Sequence, residues 1–296
     1  MKTKLKLLAA AIGLGLASAS ANAFFLYSAP GQYTILEDDN LEYMSYDANQ
    51  NGQLDVGDRL RGVIEFVRIY EEGGAGEQTN LAPELTAIFE TQVYSILDLK
   101  NDGTANDIIW GASTEAGPSG FQTLYGAGAV LAAYTGGTNL SLFGPGQCSS
   151  IAECEANATT SGGGSLWAVA GFGDADDQWV SFDSNLNFAS VANLAASTKV
   201  AAVNYALSIL LNNTGYVINE QQIDCLGAGG PFVCAGDGMT DIAGSGDVLG
   251  GRGLSNGYGA RSDIDVRMSV PEPGSLALMG LGLFGLGAMS RRRSAK

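Results

Sequence analysis

The stretch DANQNGQLDVGD, Asp47–Asp58, carries the clearest chemistry in the chain. Asp47, Asn49, Asn51, Asp55 and Asp58 fall at positions 1, 3, 5, 9 and 12 of a twelve-residue loop, with Gly52 at position 6 and Leu54 at position 8. Side-chain oxygens at alternating positions can converge on one point, and a hard divalent cation takes six to eight oxygens in a flexible ring. Glycine permits the sharp turn, the leucine tucks the loop against a core, and Gln53 would contribute its backbone carbonyl.

This pattern resembles the calcium loop of EF-hand and dockerin-type sequences. Asp58 at the last position, shorter than the usual EF-hand Glu, is similar to the dockerin variant. The resemblance implies Ca2+ held by Asp47, Asn49, Asn51, Gln53, Asp55 and Asp58. The next residues, RLRGVIEF, read as a strand, so a solitary structural clamp is expected rather than a paired helix–loop–helix sensor. An ion-free Asx-rich turn is the competing reading.

Other acidic turns are weaker. DLKNDGTAND (98–107) has Asp98, Asp102 and Gly103 in register, but Lys100 takes a ligand position and a plain hairpin turn is expected. GDADDQW (173–179) reads as a solvated acidic loop. AGSGDVLGGRG (243–253) reads as a glycine loop.

The 296 residues contain no histidine, which excludes Ser-His-Asp and Cys-His catalysis and every His-ligated metal site. Between Leu7 and Ser290 the chain holds 8 basic and 31 acidic residues, a balance of −23. Such a body repels nucleic acid, so no nucleic-acid partner is expected. The four cysteines form two close pairs, Cys148 with Cys154 and Cys225 with Cys234. In an oxidising compartment disulfides are expected, and the local pairing is favoured among three connectivities. Trp110, Trp167 and Trp179 could offer flat rings to sugars, but core packing is the expected role.

The elements that must position these residues are mostly strands. The 42 glycines and the scarcity of Lys and Glu point away from a helical bundle. RGVIEFVRIY (61–70), LTAIFETQVYSIL (85–97), DIIWGAS (107–113), AVLAAYT (129–135), SLWAVAGF (165–172) and QWVSFDS (178–184) alternate or are rich in β-branched residues. KVAAVNYALSILLNN (199–213) fits a helix face or a strand face, and the turn signal after it favours a strand. The expectation is a mainly β protein, an antiparallel β-sandwich with a few short helices, as one domain over 24–269.

Both ends read as addresses. Residues 1–23 have a basic start, an apolar run and the small-residue ANA of a secretory signal peptide. At the other end, Gly274–Ser290 is a 17-residue stretch without charge, followed by Arg291, Arg292 and Arg293. It is expected to form a transmembrane helix with the arginines cytoplasmic and the body outside.

VPEPGSLALMGLGLFGLGAMSRRR resembles the PEP-CTERM sorting signal of Gram-negative bacteria through Pro271-Glu272-Pro273, the glycine- and leucine-rich span and Arg291–Arg293. The resemblance, over 270–296, implies an inner-membrane-anchored precursor cut near Pro271–Pro273 by an exosortase. It also implies association with exopolysaccharide or biofilm at the cell surface or in the extracellular matrix. With no catalytic constellation in view, a non-catalytic surface or matrix protein is expected. A carbohydrate-binding module is the first alternative, and a polysaccharide-cleaving enzyme using Glu65, Glu84 or Glu90 the less favoured one.

Overall fold

The computed structural model describes residues 33–72, 77–78, 85–115, 117–136, 140–159, 163–223 and 237–271. The signal stretch, the Cys225–Cys234 pair and the tail from Glu272 onward lie outside them.

Thirteen strands run β1 (Thr34–Tyr46), β2 (Arg59–Glu71), β3 (Glu77–Gln78), β4 (Leu85–Leu97), β5 (Asp107–Ala112), β6 (Ala129–Thr135), β7 (Ser165–Gly171), β8 (Gln178–Phe182), β9 (Lys199–Asn212), β10 (Gln221–Gln222), β11 (Met239–Thr240), β12 (Ile242–Gly250) and β13 (Ala260–Met268). Among the described residues the helices are the short α1 (Phe121–Tyr125), α2 (Ile151–Ala158) and α3 (Phe188–Val191).

Eleven strands form one antiparallel sheet, and the extra pairings β2–β4 and β9–β8 close it on itself. The ring runs β1, β2, β4, β5, β8, β9, β12, β13 and back to β1. The strands β6 and β7 fill the same wall lower down. Along one edge of β4, Leu85–Phe89 pair with β6 and Thr91–Leu97 with β5. Along β9, Ala202–Ala206 pair with β8 and Ser208–Asn212 with β7.

The mainly antiparallel β expectation holds, but a closed barrel-like sheet replaces the expected sandwich. The cause is strand length. β4 and β9, of 13 and 14 residues, are long enough to take two partners on one edge. Register shifts at Val93/Ser95 in β4 and at Glu37/Asp38 in β1 bend the strands toward closure. A closed sheet buries its apolar face against itself and needs no second layer.

The interior holds Leu36, Ile64, Phe89, Trp110, Trp179, Val203, Tyr205 and Ile264, all buried. Trp179 sits between Phe89 and Tyr205, with ring centroids 5.7 and 5.0 Å away. The stretch expected to be a glycine loop is strand β12, because its glycines leave room for neighbours. A Cβ at Gly244 would stand 2.2 Å from Cζ of Tyr205, and one at Gly246 would stand 1.9 Å from the carbonyl oxygen of Asp263.

A second apolar cluster lies on the outer face, where Leu41, Val63 and Ile88 are covered by Phe121, Leu140, Leu142, Cys148 and Cys154. The helix α2 is fixed there by charge. Arg61 Nε donates to Glu155 at 2.7 Å, Tyr43 donates its hydroxyl to the same carboxylate at 2.9 Å, and Arg61 also reaches the buried Glu90 at 3.3 Å. Among the described residues no helix is long and apolar enough to cross a membrane.

Candidate functional site

The 47–58 loop joins β1 to β2, so strand–loop–strand is the setting expected from RLRGVIEF. Its side chains bond to one another and to the loop's own amides. The carboxylate of Asp47 accepts from the amides of Gly52 (2.8 Å) and Asn51 (3.3 Å). These amides, Gly52 first, hold the Asp47 carboxyl below its usual range. The fully buried Asp58 accepts from the amides of Ala48 (2.9 Å) and Asp55 (2.8 Å), stitching the loop's ends together. Asn49 and Asn51 both donate through Nδ2 to the same oxygen of Asp55, each at 2.8 Å. Gly52 (φ 72°) and Gln50 (φ 57°) take the left-handed turns this requires.

Among the described residues no three Cys, Asp or Glu side chains are gathered as a metal cage. In this loop two of the five ligand-type side chains are amides, and they meet Asp55 at one point. A half-turn of either amide exchanges Nδ2 for Oδ1, so the donor set is all oxygen and fits a hard cation.

The loop leans on the β8–β9 connection, which carries α3. The Leu54 amide donates to the Leu186 carbonyl at 2.7 Å, and the Ala189 amide donates to the Gly52 carbonyl at 2.9 Å. The 98–107 loop holds the same connection from the other side. The Asp183 amide donates to Asp107 at 3.1 Å and the Ser184 amide to the Asn106 carbonyl at 2.9 Å.

The 98–107 loop is the hairpin connection of β4 and β5, as expected. It nevertheless repeats the first loop's cradle: Asp98 accepts from the amides of Asp102 (3.0 Å) and Gly103 (2.9 Å). Here the positive charge is built in, since the Lys100 ammonium pairs with Asp183 and with Asp102. The bond to Asp183 raises the Lys100 pKa.

Beneath the β8–β9 connection the barrel interior contains a polar line that sequence reasoning missed. Asp38, Asn40 and Glu42 alternate along β1 and are 2, 2 and 3% exposed. Such an acidic face does not read as core, and so TILEDDNLEYMSY did not read as a strand. The Ile264 amide donates to Asp38 (3.0 Å), Asn40 donates to Ser262 Oγ (3.0 Å), and Ser262 donates to Glu42 (2.5 Å). One oxygen of each of the three residues has no partner. Burial pushes the Glu42 carboxyl up to about 7 against the opposing Ser262 bond, and burial drives Asp38 well above its usual range.

The remaining expected residues fall as follows. Cys148 and Cys154 are bonded, with Cα atoms 5.2 Å apart, while Cys225 and Cys234 are outside the described residues. Trp110, Trp167 and Trp179 are 5, 7 and 6% exposed and serve as core. Glu65 accepts from the Leu142 amide (3.0 Å) and Glu90 pairs with Arg61, so both have structural partners. Glu84 is not among the described residues. Of the sorting motif only Pro271 is described; Glu272, Pro273 and Arg291–Arg293 are not.

No curated protein and no solved structure matches the chain. One family model does, that of the PEP-CTERM protein-sorting motif, over residues 269–293. Its span takes in Pro271-Glu272-Pro273 and Arg291–Arg293 together, so the chain carries the PEP-CTERM sorting motif, which supports an exosortase-targeted exported protein.

Proposed function

We propose that the chain is exported, held in the inner membrane by its C-terminal span, cut by an exosortase near Pro271–Pro273, and released to the cell surface or extracellular matrix. There it acts as a non-catalytic module associated with exopolysaccharide. The sorting motif at 269–293 carries this reading. An acidic body without histidine supports a binding or scaffolding role.

The body is clamped by one structural Ca2+. Asp47, Asn49, Asn51, Asp55 and Asp58, with the Gln53 carbonyl, are the groups that would hold it. The ion would offset two of the three negative charges of Asp47, Asp55 and Asp58 and stiffen the loop against α3. Deleting the gene in the source bacterium tests the matrix role. Loss of matrix or aggregation is the expected result; an unchanged phenotype counts against it.

A carbohydrate-binding role has one observation behind it. Tyr46 and Tyr94 expose 46 and 74% of their surface, and the Arg59 guanidinium lies 4.6 Å from the Tyr46 ring centroid. Binding isotherms on the organism's own polysaccharide, with Tyr46→Ala and Tyr94→Ala, test it; flat isotherms for the unaltered protein end it.

A further inference from the structure

Between the β8–β9 connection and the barrel core lies a cavity of ≈ 40 Å³. Most of its wall is apolar, including Phe89, Trp110, Trp179 and Phe188. Five polar residues break this wall, Glu42, Thr91, Ser181, Ser184 and Asn185, and two of them carry an unpartnered oxygen. Glu42 and Ser184 both line the cavity, are 3 and 7% exposed, and each has an oxygen without any partner. An unsatisfied buried polar atom costs roughly 1–3 kcal/mol. Here two such atoms border one empty space inside an otherwise closed core, at the end covered by α3.

We propose that this cavity is a binding site for a small amphiphile, an apolar stem of a few carbons bearing one amino or hydroxyl head. The head bonds to Glu42 Oε2 and Ser184 Oγ, and the stem lies against the indoles of Trp110 and Trp179. Size sets the class. One water needs about 10–15 Å³ of such volume, so the cavity takes about three or four heavy atoms and excludes a sugar ring or a fatty chain. Chemistry sets the polarity, because the unpartnered groups are a carboxyl and a hydroxyl, and apart from Thr91, Ser181 and Asn185 the rest of the wall is apolar. The outer wall is the connection through Ser184, Asn185, Phe188 and Val191, which together with Leu54 is the part of the enclosure that is not strand. It is the route by which a small molecule enters. The site is independent of the sorting motif, but Leu54 of the 47–58 loop is part of its wall.

A ligand of so few heavy atoms makes few contacts, so affinity near the millimolar range is expected. The test is an NMR titration of the 15N-labelled body with n-propanol and with n-propylamine. Shifts are read at the indole N–H signals, with Trp167, which does not line the cavity, as internal reference. The expected result is saturable shifts at Trp110 and Trp179 with at least one of the two probes. Glu42→Leu, which removes the buried carboxyl while keeping its bulk, should weaken binding at least tenfold, and Ser184→Ala should weaken it less. Shifts that never saturate, or that move all three indoles alike, overturn the proposal. So does undiminished binding in Glu42→Leu, or a crystal soak in which ordered water in the cavity is displaced by neither probe.

Discussion

The backbone amide of Leu54 donates to the carbonyl of Leu186 at 2.7 Å, tying the acidic loop between β1 and β2 to the cover over one end of the barrel. Leu54 is also buried against the core below. Whatever stiffens residues 47–58 therefore stiffens residues 184–191, and calcium is expected to do so at a distance from its own ligands. Adding calcium to the purified body should raise Tm and slow amide exchange at 186–191. Asp47→Ala should abolish both effects. An unchanged melting curve on adding calcium or a chelator would remove the ion from the account.

Gly52→Ala tests the same contact sterically. The new Cβ would stand 2.8 Å from Ala189 Cβ, on a backbone at φ 72°. Strain and the displaced contact should together cost about 1–2 kcal/mol, read by urea unfolding, and calcium should recover less of the Tm in the variant than in the parent.

Glu42 makes stability depend on pH. Its folded pKa of about 7 lies above the 4.5 of an unperturbed Glu, so the folded state holds this proton more tightly than the unfolded chain. Its contribution is fully present below about pH 4.5 and is lost as pH rises toward 7, a difference of about 3 kcal/mol. Glu42→Gln should flatten that decline and be more stable than the parent at pH 8. Equal slopes between pH 5 and 8 would show that Glu42 ionises freely in the fold.

Arg61 answers two carboxylates, Glu155 at 2.7 Å and the buried Glu90 at 3.3 Å. Arg61→Ala leaves Glu90 buried without its cation and frees α2 from the sheet. A loss of about 3 kcal/mol is expected. Arg61→Ala/Glu90→Gln should regain part of it, since the buried charge is then gone. No regain in the double variant would place the cost in packing alone.

How much of this was legible in the sequence varies with the kind of signal. LTAIFETQVYSIL and AVLAAYT became β4 and β6 with the boundaries the pattern suggested, because both are rich in apolar, aromatic and β-branched residues. The ambiguous 199–213 segment is strand β9, as its turn signal favoured. Besides the two-residue strands β3, β10 and β11, three longer strands went unread, each with polar residues or glycines that mask its pattern. β1 faces the core with Asp38, Asn40 and Glu42, β12 faces it with Gly244 and Gly246, and β13 alternates Arg and Asp with its apolar residues. Composition rules read such segments as loops, whereas Ser262 and Tyr205 fill or satisfy those positions only once the barrel has closed. The acidic loop was legible because its logic is local: every contact of Asp47 and Asp58 described above lies within the twelve residues. The cavity beside Glu42 was not, because Glu42, Trp110 and the Trp179–Ser184 segment come to it from three distant stretches of chain.

Intact mass and C-terminal peptide mapping of the protein recovered outside the source bacterium test the central claim most directly. The account predicts a chain ending near Pro271–Pro273, without the span that leads to Arg291–Arg293, and an intact uncut form in cells lacking exosortase. A secreted chain that retains residues 274–293 in the wild-type strain would contradict it.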